Sequence, residues 1–223
     1  MRILTWNCRG LGRPLTIHNL KGISQSHSPE LVFICETKNQ TRNVEAKLRS
    51  CGFNKWHIVN PNAIAGGLAM AWKDGCDIKV TSSSSFYIQA IVKDAANDVE
   101  WSIIGVHLSC SEQNQGGIAI LGDFNSITTP EEKDGGGDTP LSSMTAFNLF
   151  IGDNDLVDLG MIGRQYTWSN RRAGNALIQE RLDRVLVNAE LLQSFCQPTV
   201  LRLAENGSDH APLLLDTTPR MEK

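Results

Sequence analysis

The sequence predicts an α+β sandwich, and three observations carry that expectation. Short apolar runs of four to seven residues outnumber the helical patterns, they alternate with them irregularly, and no repeat or linker divides the 223 residues. Regular alternation would point instead to a βαβ barrel. Nine runs read as strands: Arg2–Asn7, Leu31–Glu36, Gly67–Trp72, Tyr87–Val92, Trp101–His107, Ile118–Leu121, Tyr166–Ser169, Arg181–Val187 and Pro212–Asp216. Most are rich in Ile, Val, Leu, Trp or Tyr, and most are bounded by Gly, Ser, Asn, Asp or Pro.

Three stripes read as helices. Ile17, Leu20 and Ile23 recur at three-residue steps, and Val44, Leu48 and Cys51 follow an i, i+4, i+7 pattern. Met144, Phe147 and Ile151 form the third, with Ser142 or Ser143 as its N-cap. Two stretches read as loops. Ser109–Gly117 is polar and ends in Gly-Gly, and Ser126–Pro140 holds Gly135, Gly136 and Gly137 amid acids, placed over the surface near the site.

With 41% hydrophobic and 20% charged residues, the chain can bury one sizeable core, and the expectation is one domain over residues 1–218 with a tail at 219–223. No apolar run approaches the ~20 residues of a membrane span. Met1–Gly10 carries two arginines and a Trp-Asn pair where a signal peptide has its apolar stretch, so the sequence predicts an intracellular protein without membrane contact. No obligate protein partner is evident. Six scattered cysteines (Cys8, Cys35, Cys51, Cys76, Cys110, Cys196) include no Cys-x-x-Cys pair and read as reduced thiols. The formal net charge of −3 argues against gripping nucleic acid by bulk positive charge but leaves room for a local basic strip.

Polar residues recur where the apolar runs end. Asn7 closes the first run, Glu36 the second and His107 a middle one; Asp123 and Asn125 follow Ile118–Leu121, Asp183 lies inside Arg181–Val187, and Asp209 and His210 precede the last run. A carboxylate against a buried strand costs several kcal/mol unless it is paired or metal-bound. Taken singly each has an ordinary explanation: Asp123 as a turn former, Asp183 as a partner of Arg181 or Arg184, Asp209–His210 as a solvent-facing turn. Repetition of the same cost at one sheet edge makes sense if the groups converge on an ion. A basic strip is also present, because Arg164, Arg171, Arg172, Arg181 and Arg184 fall within 21 residues beside Tyr166 and Trp168. Arginines among aromatics suit a surface that follows a nucleic-acid backbone, the alternative being a salt-bridged surface.

These residues also carry a resemblance. Trp6-Asn7-Cys8-Arg9-Gly10-Leu11-Gly12, Glu36-Thr37-Lys38, Gly66-Gly67-Leu68-Ala69, Gly122-Asp123-Phe124-Asn125, Tyr166-Thr167-Trp168-Ser169-Asn170, Arg181-Leu182-Asp183-Arg184 and Ser208-Asp209-His210-Ala211-Pro212 resemble the endonuclease/exonuclease/phosphatase superfamily. They are most similar to the endonuclease domain of plant LINE-type (non-LTR) retrotransposons, over nearly the whole chain. The resemblance implies a DNase-I-like, four-layer α/β/β/α sandwich of two packed mixed sheets. It implies a Mg²⁺-dependent endonuclease, with Mn²⁺ as a substitute, that nicks DNA to leave a 3′-hydroxyl, acting in the nucleus. Glu36, Asn7 and Asp209 would surround the metal, a hard-oxygen set that suits Mg²⁺ better than zinc. Asp123 and Asn125 would handle the attacking water, Asp183 would orient His210 toward a phosphoryl oxygen, and Thr167 and Ser208 would touch the phosphate.

Two departures stand against that pattern. His107 lies where the family places a tyrosine that contacts the phosphate. Only 15 residues separate His107 from Asp123, without the apolar stripe of the amphipathic helix that the family fits there. Loss of that helix is expected to bare ~400 Å² of apolar sheet, roughly 10 kcal/mol gross at ~25 cal/mol per Å². The alternatives are therefore a noncatalytic retroelement-derived remnant, or a phosphoesterase acting on abasic DNA or a small phosphoester.

Overall fold

The computed structural model describes residues 1–62, 66–94, 98–107, 116–195 and 197–218. Most of the expected Ser109–Gly117 loop, Cys110, Cys196 and the 219–223 tail lie outside them. In chain order the strands are β1 (Arg2–Asn7), β2 (Leu31–Cys35), β3 (Lys55–Val59), β4 (Leu68–Trp72), β5 (Asp77–Ser83), β6 (Tyr87–Asp94), β7 (Val99–His107) and β8 (Gly117–Asp123). Then follow β9 (Lys133–Asp134), β10 (Leu156–Asp158), β11 (Trp168–Ser169), β12 (Gln179–Glu180), β13 (Asp183–Asn188), β14 (Thr199–Arg202) and β15 (Leu213–Asp216). The helices are α1 (Pro14–His27), α2 (Thr41–Ser50), α3 (Leu141–Asp153) and α4 (Ala189–Ser194).

One six-stranded sheet has the order β14-β15-β1-β2-β4-β3 and the other β10-β13-β8-β7-β6-β5. Each is mixed, because β1 runs parallel to β2, and β7 parallel to β8, while their other neighbours are antiparallel. Side chains alternate across a strand, so each central strand feeds two apolar layers. Ile3, Phe33, Met70, Ile88, Ile103, Leu121, Val185 and Leu215 share the core between the sheets. Leu4, Trp6, Val32 and Ile34 pack outward against Leu20 and Ile23 of α1 and Val44 and Leu48 of α2. Ile104, Val106, Ile118, Ile120 and Leu186 pack outward against Phe147 of α3. The α/β/β/α order follows from these three layers.

Two glycines set how closely backbones approach. A Cβ on Gly105 would lie 2.2 Å from the Phe33 ring, so the missing side chain lets Phe33 cross from the facing sheet. Gly122 has φ +144°, and a Cβ there would lie 2.0 Å from the Val106 carbonyl oxygen. A side chain would force β7 and β8 apart just below Asp123.

Several expectations change. Pro140, not Ser142 or Ser143, occupies the N-cap of α3 and provides no side-chain cap; both serines lie within the helix. The Ser126–Pro140 stretch contains a 3₁₀ turn at Pro130–Glu132 and the strand β9, which joins β12 and β11 in a small third sheet. The bared apolar face is not found among the described residues. Ile104, Val106, Ile118 and Ile120 are 0–6% exposed, because Phe147, Phe150 and Ile151 of α3 and Phe124 pack over that layer. Cys8, Cys35, Cys51 and Cys76 are free thiols, as expected.

Candidate active site

The site lies at one rim of the sandwich, where inward-facing rows of both sheets run out of apolar residues. On β8 the inward row is Ala119, Leu121, Asp123; on β13 it is Asp183, Val185, Val187. The ladder sets His107 opposite Asp123 and Asp183 opposite Asp123, so three polar side chains form one row across β7, β8 and β13. From the facing sheet, Asn7 follows Ile3 and Thr5 on the same side of β1. Glu36, just beyond β2, adopts a left-handed φ of 52°. Arg9, Lys38 and Asn125 are left-handed too, at φ 49–51°. Strained backbone of this kind costs of order 1–3 kcal/mol per residue and gathers at functional sites.

Asn7 joins the two sheets. Its Nδ2 donates to Glu36 Oε1 at 3.2 Å and to Asp123 Oδ2 at 2.9 Å, and it is itself 1% exposed. His107 Nε2 lies 3.5 Å from Glu36 Oε1 and 4.0 Å from Asp123 Oδ2. The other oxygen of Asp123 accepts the Asn125 backbone N–H at 2.9 Å, which leaves the Asn125 side chain at the exposed mouth. Burial, then the neighbouring Asp183 carboxylate, push Asp123 above the ordinary carboxylate range despite His210 and Asn7. Burial also acts against the charge on Glu36, but His107, Lys38 and Asn7 outweigh it and hold Glu36 well below that range.

His210 and Asp183 form a buried pair. Nδ1 of His210 donates to Asp183 Oδ2 at 2.9 Å, and Nε2 points toward Asp123 Oδ2 at 3.8 Å. Burial disfavours the imidazolium, but the Asp183 charge and hydrogen bond, followed by Asp123 and Asp209, push His210 up to about 9. Trp6 Nε1 donates to the His210 carbonyl at 3.0 Å, fixing the turn from behind.

Asp123, Asp183 and His210 offer ligand atoms within 4.8 Å of one another. With His210 charged and bonded to Asp183, that trio is better suited to moving a proton than to caging a cation. The Glu36 and Asp123 carboxylate oxygens, joined by the Asn7 amide, are the harder donor set, with Asn7 Oδ1 accepting the Arg9 backbone N–H at 3.2 Å beside them. Burial pushes the adjacent Cys8 thiol up to about 12, so it offers no thiolate to a soft metal. The residues present thus fit a divalent cation that prefers oxygen ligands.

Several expected site residues have partners within the chain. Asp209 was expected beside the metal, yet its carboxylate accepts Arg9 Nε at 2.9 Å and Trp168 Nε1 at 3.2 Å. Thr167 is 1% exposed, and its Oγ1 accepts the N–H groups of Leu182 and Asp183, each at 2.9 Å. Ser208 is equally buried and donates to the Asn7 carbonyl at 2.7 Å. Both hydroxyls hold backbone groups at the site. Arg181 and Arg184 leave the basic strip altogether. Each pairs with Glu132 and Asp158, and the Arg184 side chain is 0% exposed beneath α3. Inward Asp183 dictates outward Arg184 by strand alternation. Arg171 and Arg172 are exposed, and Arg171 donates to the Ser208 carbonyl beside the site. Arg164 is 82% exposed and 3.9 Å from Glu205.

Two cations at the site carry no expected role from the sequence. Arg9 Nη1 lies 3.5 Å from Glu36 Oε1 while the same guanidinium holds Asp209, and Lys38 Nζ lies 2.7 Å from Glu36 Oε2. The one available signal was their spacing, two residues beyond Asn7 and Glu36 respectively.

Comparison with known proteins agrees with this architecture. No curated protein matches the chain. Among solved structures, the 3′-5′ exonuclease NExo from Neisseria meningitidis superposes with a TM-score of 0.71 at 18% identity, covering 98% of this chain and 100% of that one. The endonuclease domain of TRAS1, a telomere-specific non-LTR retrotransposon, gives 0.68 at 14% identity, covering 100% and 99%. The AP endonuclease LMAP from Leishmania major gives 0.74 at 14%, covering 96% and 86%. At such identities the likeness speaks for the fold. A sequence model of the endonuclease/exonuclease/phosphatase family matches residues 4–210, almost from the first strand to the buried histidine, and this chain belongs to that family.

Proposed function

We propose that this protein is a Mg²⁺-dependent endonuclease, able to use Mn²⁺, that nicks DNA and leaves a 3′-hydroxyl. One observation carries the reading: Glu36, Asn7, Asp123, His210 and Asp183 form an unbroken chain of neighbours across both sheets at one rim. A divalent ion bound by Glu36 and Asn7 would supply positive charge to a phosphoryl oxygen and to the leaving oxygen.

The chain's own residues divide the remaining work. Asp123 is fixed through both oxygens by Asn7 and Asn125, so it orients a water and takes its proton as the water attacks phosphorus. Its raised pKa makes it a better base than a free carboxylate. His210, charged and held by Asp183, donates a hydrogen bond to a non-bridging oxygen as negative charge builds there. The P–O3′ bond breaks, and the 3′-oxygen leaves as an alkoxide that takes a proton from solvent to become the hydroxyl, while phosphate stays on the 5′ side and Asp123 returns its proton to solvent. Asn125 and His107 stand at the mouth to place the phosphate, and Arg171, Arg172 and Arg164 offer exposed charge for the backbone beyond it.

DNA as the polymer is supported by the likeness to TRAS1 and to the 3′ phosphatase NExo from Neisseria, whose structure is bound to a product DNA hairpin. The AP-endonuclease likeness keeps abasic DNA as the second substrate to test. A noncatalytic remnant is disfavoured by the covered sheet and the assembled site. The test is plasmid nicking with Mg²⁺. Wild type is expected to convert supercoiled plasmid to open circles that a polymerase extends, and Asp123→Ala to leave the plasmid intact. Equal nicking by the two proteins removes Asp123 from the reaction.

A further inference from the structure

The carboxylates at the proposed metal position already have cationic partners of their own. Glu36 meets Lys38 Nζ at 2.7 Å through one oxygen and Arg9 Nη1 at 3.5 Å through the other, which the His107 ring also approaches at 3.5 Å. Asp209 accepts three hydrogen bonds from the Arg9 guanidinium, at 2.9–3.1 Å, and a fourth from Trp168. Arg9 therefore bridges the two acids that the family resemblance assigned to the metal. Neither cation is sealed in: the Arg9 and Lys38 side chains are 35% and 34% exposed. Each can swing outward on its long stem without opening the core.

We propose that Arg9 and Lys38 are internal competitors for the divalent cation. They neutralise Glu36 and Asp209 in the metal-free protein, and Lys38 is displaced from Glu36 when the cation binds. Because Asp209 stays on Arg9 and Trp168, the cation is held on the Glu36–Asn7 side alone. This inference rests on the metal site proposed above. It adds that metal affinity is set by two side chains outside the ligand shell, and that metal entry sets free the Lys38 ammonium at the mouth where a phosphate would arrive. Opposite charges this close, in a partly buried site, interact far more strongly than in bulk water, so the competition is expected to be large.

The experiment is calorimetric titration of the 223-residue chain with MnCl₂, comparing wild type with Lys38→Met, Arg9→Met and Glu36→Gln. Circular dichroism would confirm that each is folded. Lys38→Met and Arg9→Met are expected to bind Mn²⁺ at least about tenfold more tightly than wild type, equivalent to ~1.4 kcal/mol or more. Glu36→Gln is expected not to bind. A second readout follows Lys38 itself: reductive methylation of its Nζ, read by mass spectrometry, is expected to accelerate when Mn²⁺ is added. Equal or weaker Mn²⁺ binding by both Met variants, with wild type binding normally and Lys38 labelling unchanged, overturns the competition and leaves the Glu36 site standing. Absence of Mn²⁺ binding from wild type and both Met variants overturns the metal site, and the competition with it.

Discussion

Asp183→Asn isolates the interaction on which the charge of His210 depends. The substitution keeps the size and shape of a side chain 2.9 Å from Nδ1 but removes its charge. The rise of His210 from 6.5 to about 9 corresponds to roughly 3 kcal/mol of preference for the imidazolium, at ~1.4 kcal/mol per pH unit. Burial opposes that preference, and Asp183 is the largest influence against burial. Without it, His210 is expected to titrate near or below 6.5. At pH 7.5 the ring then changes from mostly charged to mostly neutral. Loss of one such donor to a phosphoryl oxygen lowers turnover by ~10²–10³. Two assays follow: NMR titration of the His210 ring protons in the metal-free protein, and nicking between pH 6 and 9. The variant is expected to regain part of its activity at pH 6. Linkage gives a further signature. A raised histidine pKa contributes stability that is complete below 6.5 and is lost as pH rises through about 9, so wild type should weaken over that window and the variant should not. A His210 pKa that stays above 8 in Asp183→Asn would refute the reasoning, because the charge would then have another source.

Asp123→Asn removes a buried charge held close to Asp183 while keeping an oxygen for Asn7 or Asn125. It is expected to abolish nicking yet raise the melting temperature by ~2–4 °C, or about 1 kcal/mol, in differential scanning fluorimetry. Arg184→Met leaves Glu132 and Asp158 with Arg181 alone and removes the guanidinium over Phe147. Urea unfolding is expected to show a loss of about 3 kcal/mol, and a loss under 1 kcal/mol would mean that Arg181 suffices. Burial raises the Glu132 pKa, but the Arg184 hydrogen bond and charge outweigh it and hold the group at about 2. A depressed carboxyl contributes stability above its unfolded value near 4.5 that is lost as pH falls through about 2. Glu132→Gln should therefore flatten the acid side of the stability curve between those values.

The central strands were legible because burial on both faces leaves near-continuous apolar runs. β1, β2 and β4 are buried along almost their whole length, and their sequences carry the pattern unaided. The edges were not. β5 alternates exposed and half-buried residues through Asp-Ile-Lys-Val-Thr-Ser-Ser, and β3 and β14 are only partly buried, so side-chain chemistry there resembles a loop. The two-residue strands β9 and β12 are held by pairing that no local pattern reveals. At the site, Asn7, Glu36, Asp123, Asp183 and His210 stood out as polar residues ending apolar runs. Arg9 and Lys38 did not, since it takes left-handed turns at φ 49° and 51° to bring both back onto Glu36. For Arg181 and Arg184 composition left a basic strip and a salt-bridged surface both open, because the partners that pair with them lie 23–52 residues away.

The short interval before Asp123 was the strongest reason to doubt catalysis, and chain geometry removes much of its force. The seven paired positions from Trp101↔Gly117 to His107↔Asp123 span six residue steps, ~20 Å at ~3.3 Å each. Nine residues, 108–116, join the two strands, and a chain of that length can reach ~30 Å. Parallel neighbours more often use a dozen or more residues to connect, but reach is what the pairing requires, and it is available. Nor does the interval set the register. The β7–β8 ladder does so on one side and the antiparallel β13–β8 ladder on the other. A one-residue slip in either would turn Asp123 to the opposite face and place a neighbour such as Gly122 or Phe124 among His107 and Asp183. The alternation of Ala119, Leu121 and Asp123 against the core forbids that slip independently of what bridges residues 107 and 117. The row of His107, Asp123 and Asp183 is therefore retained by the two ladders and the core itself, whatever the length of the connection.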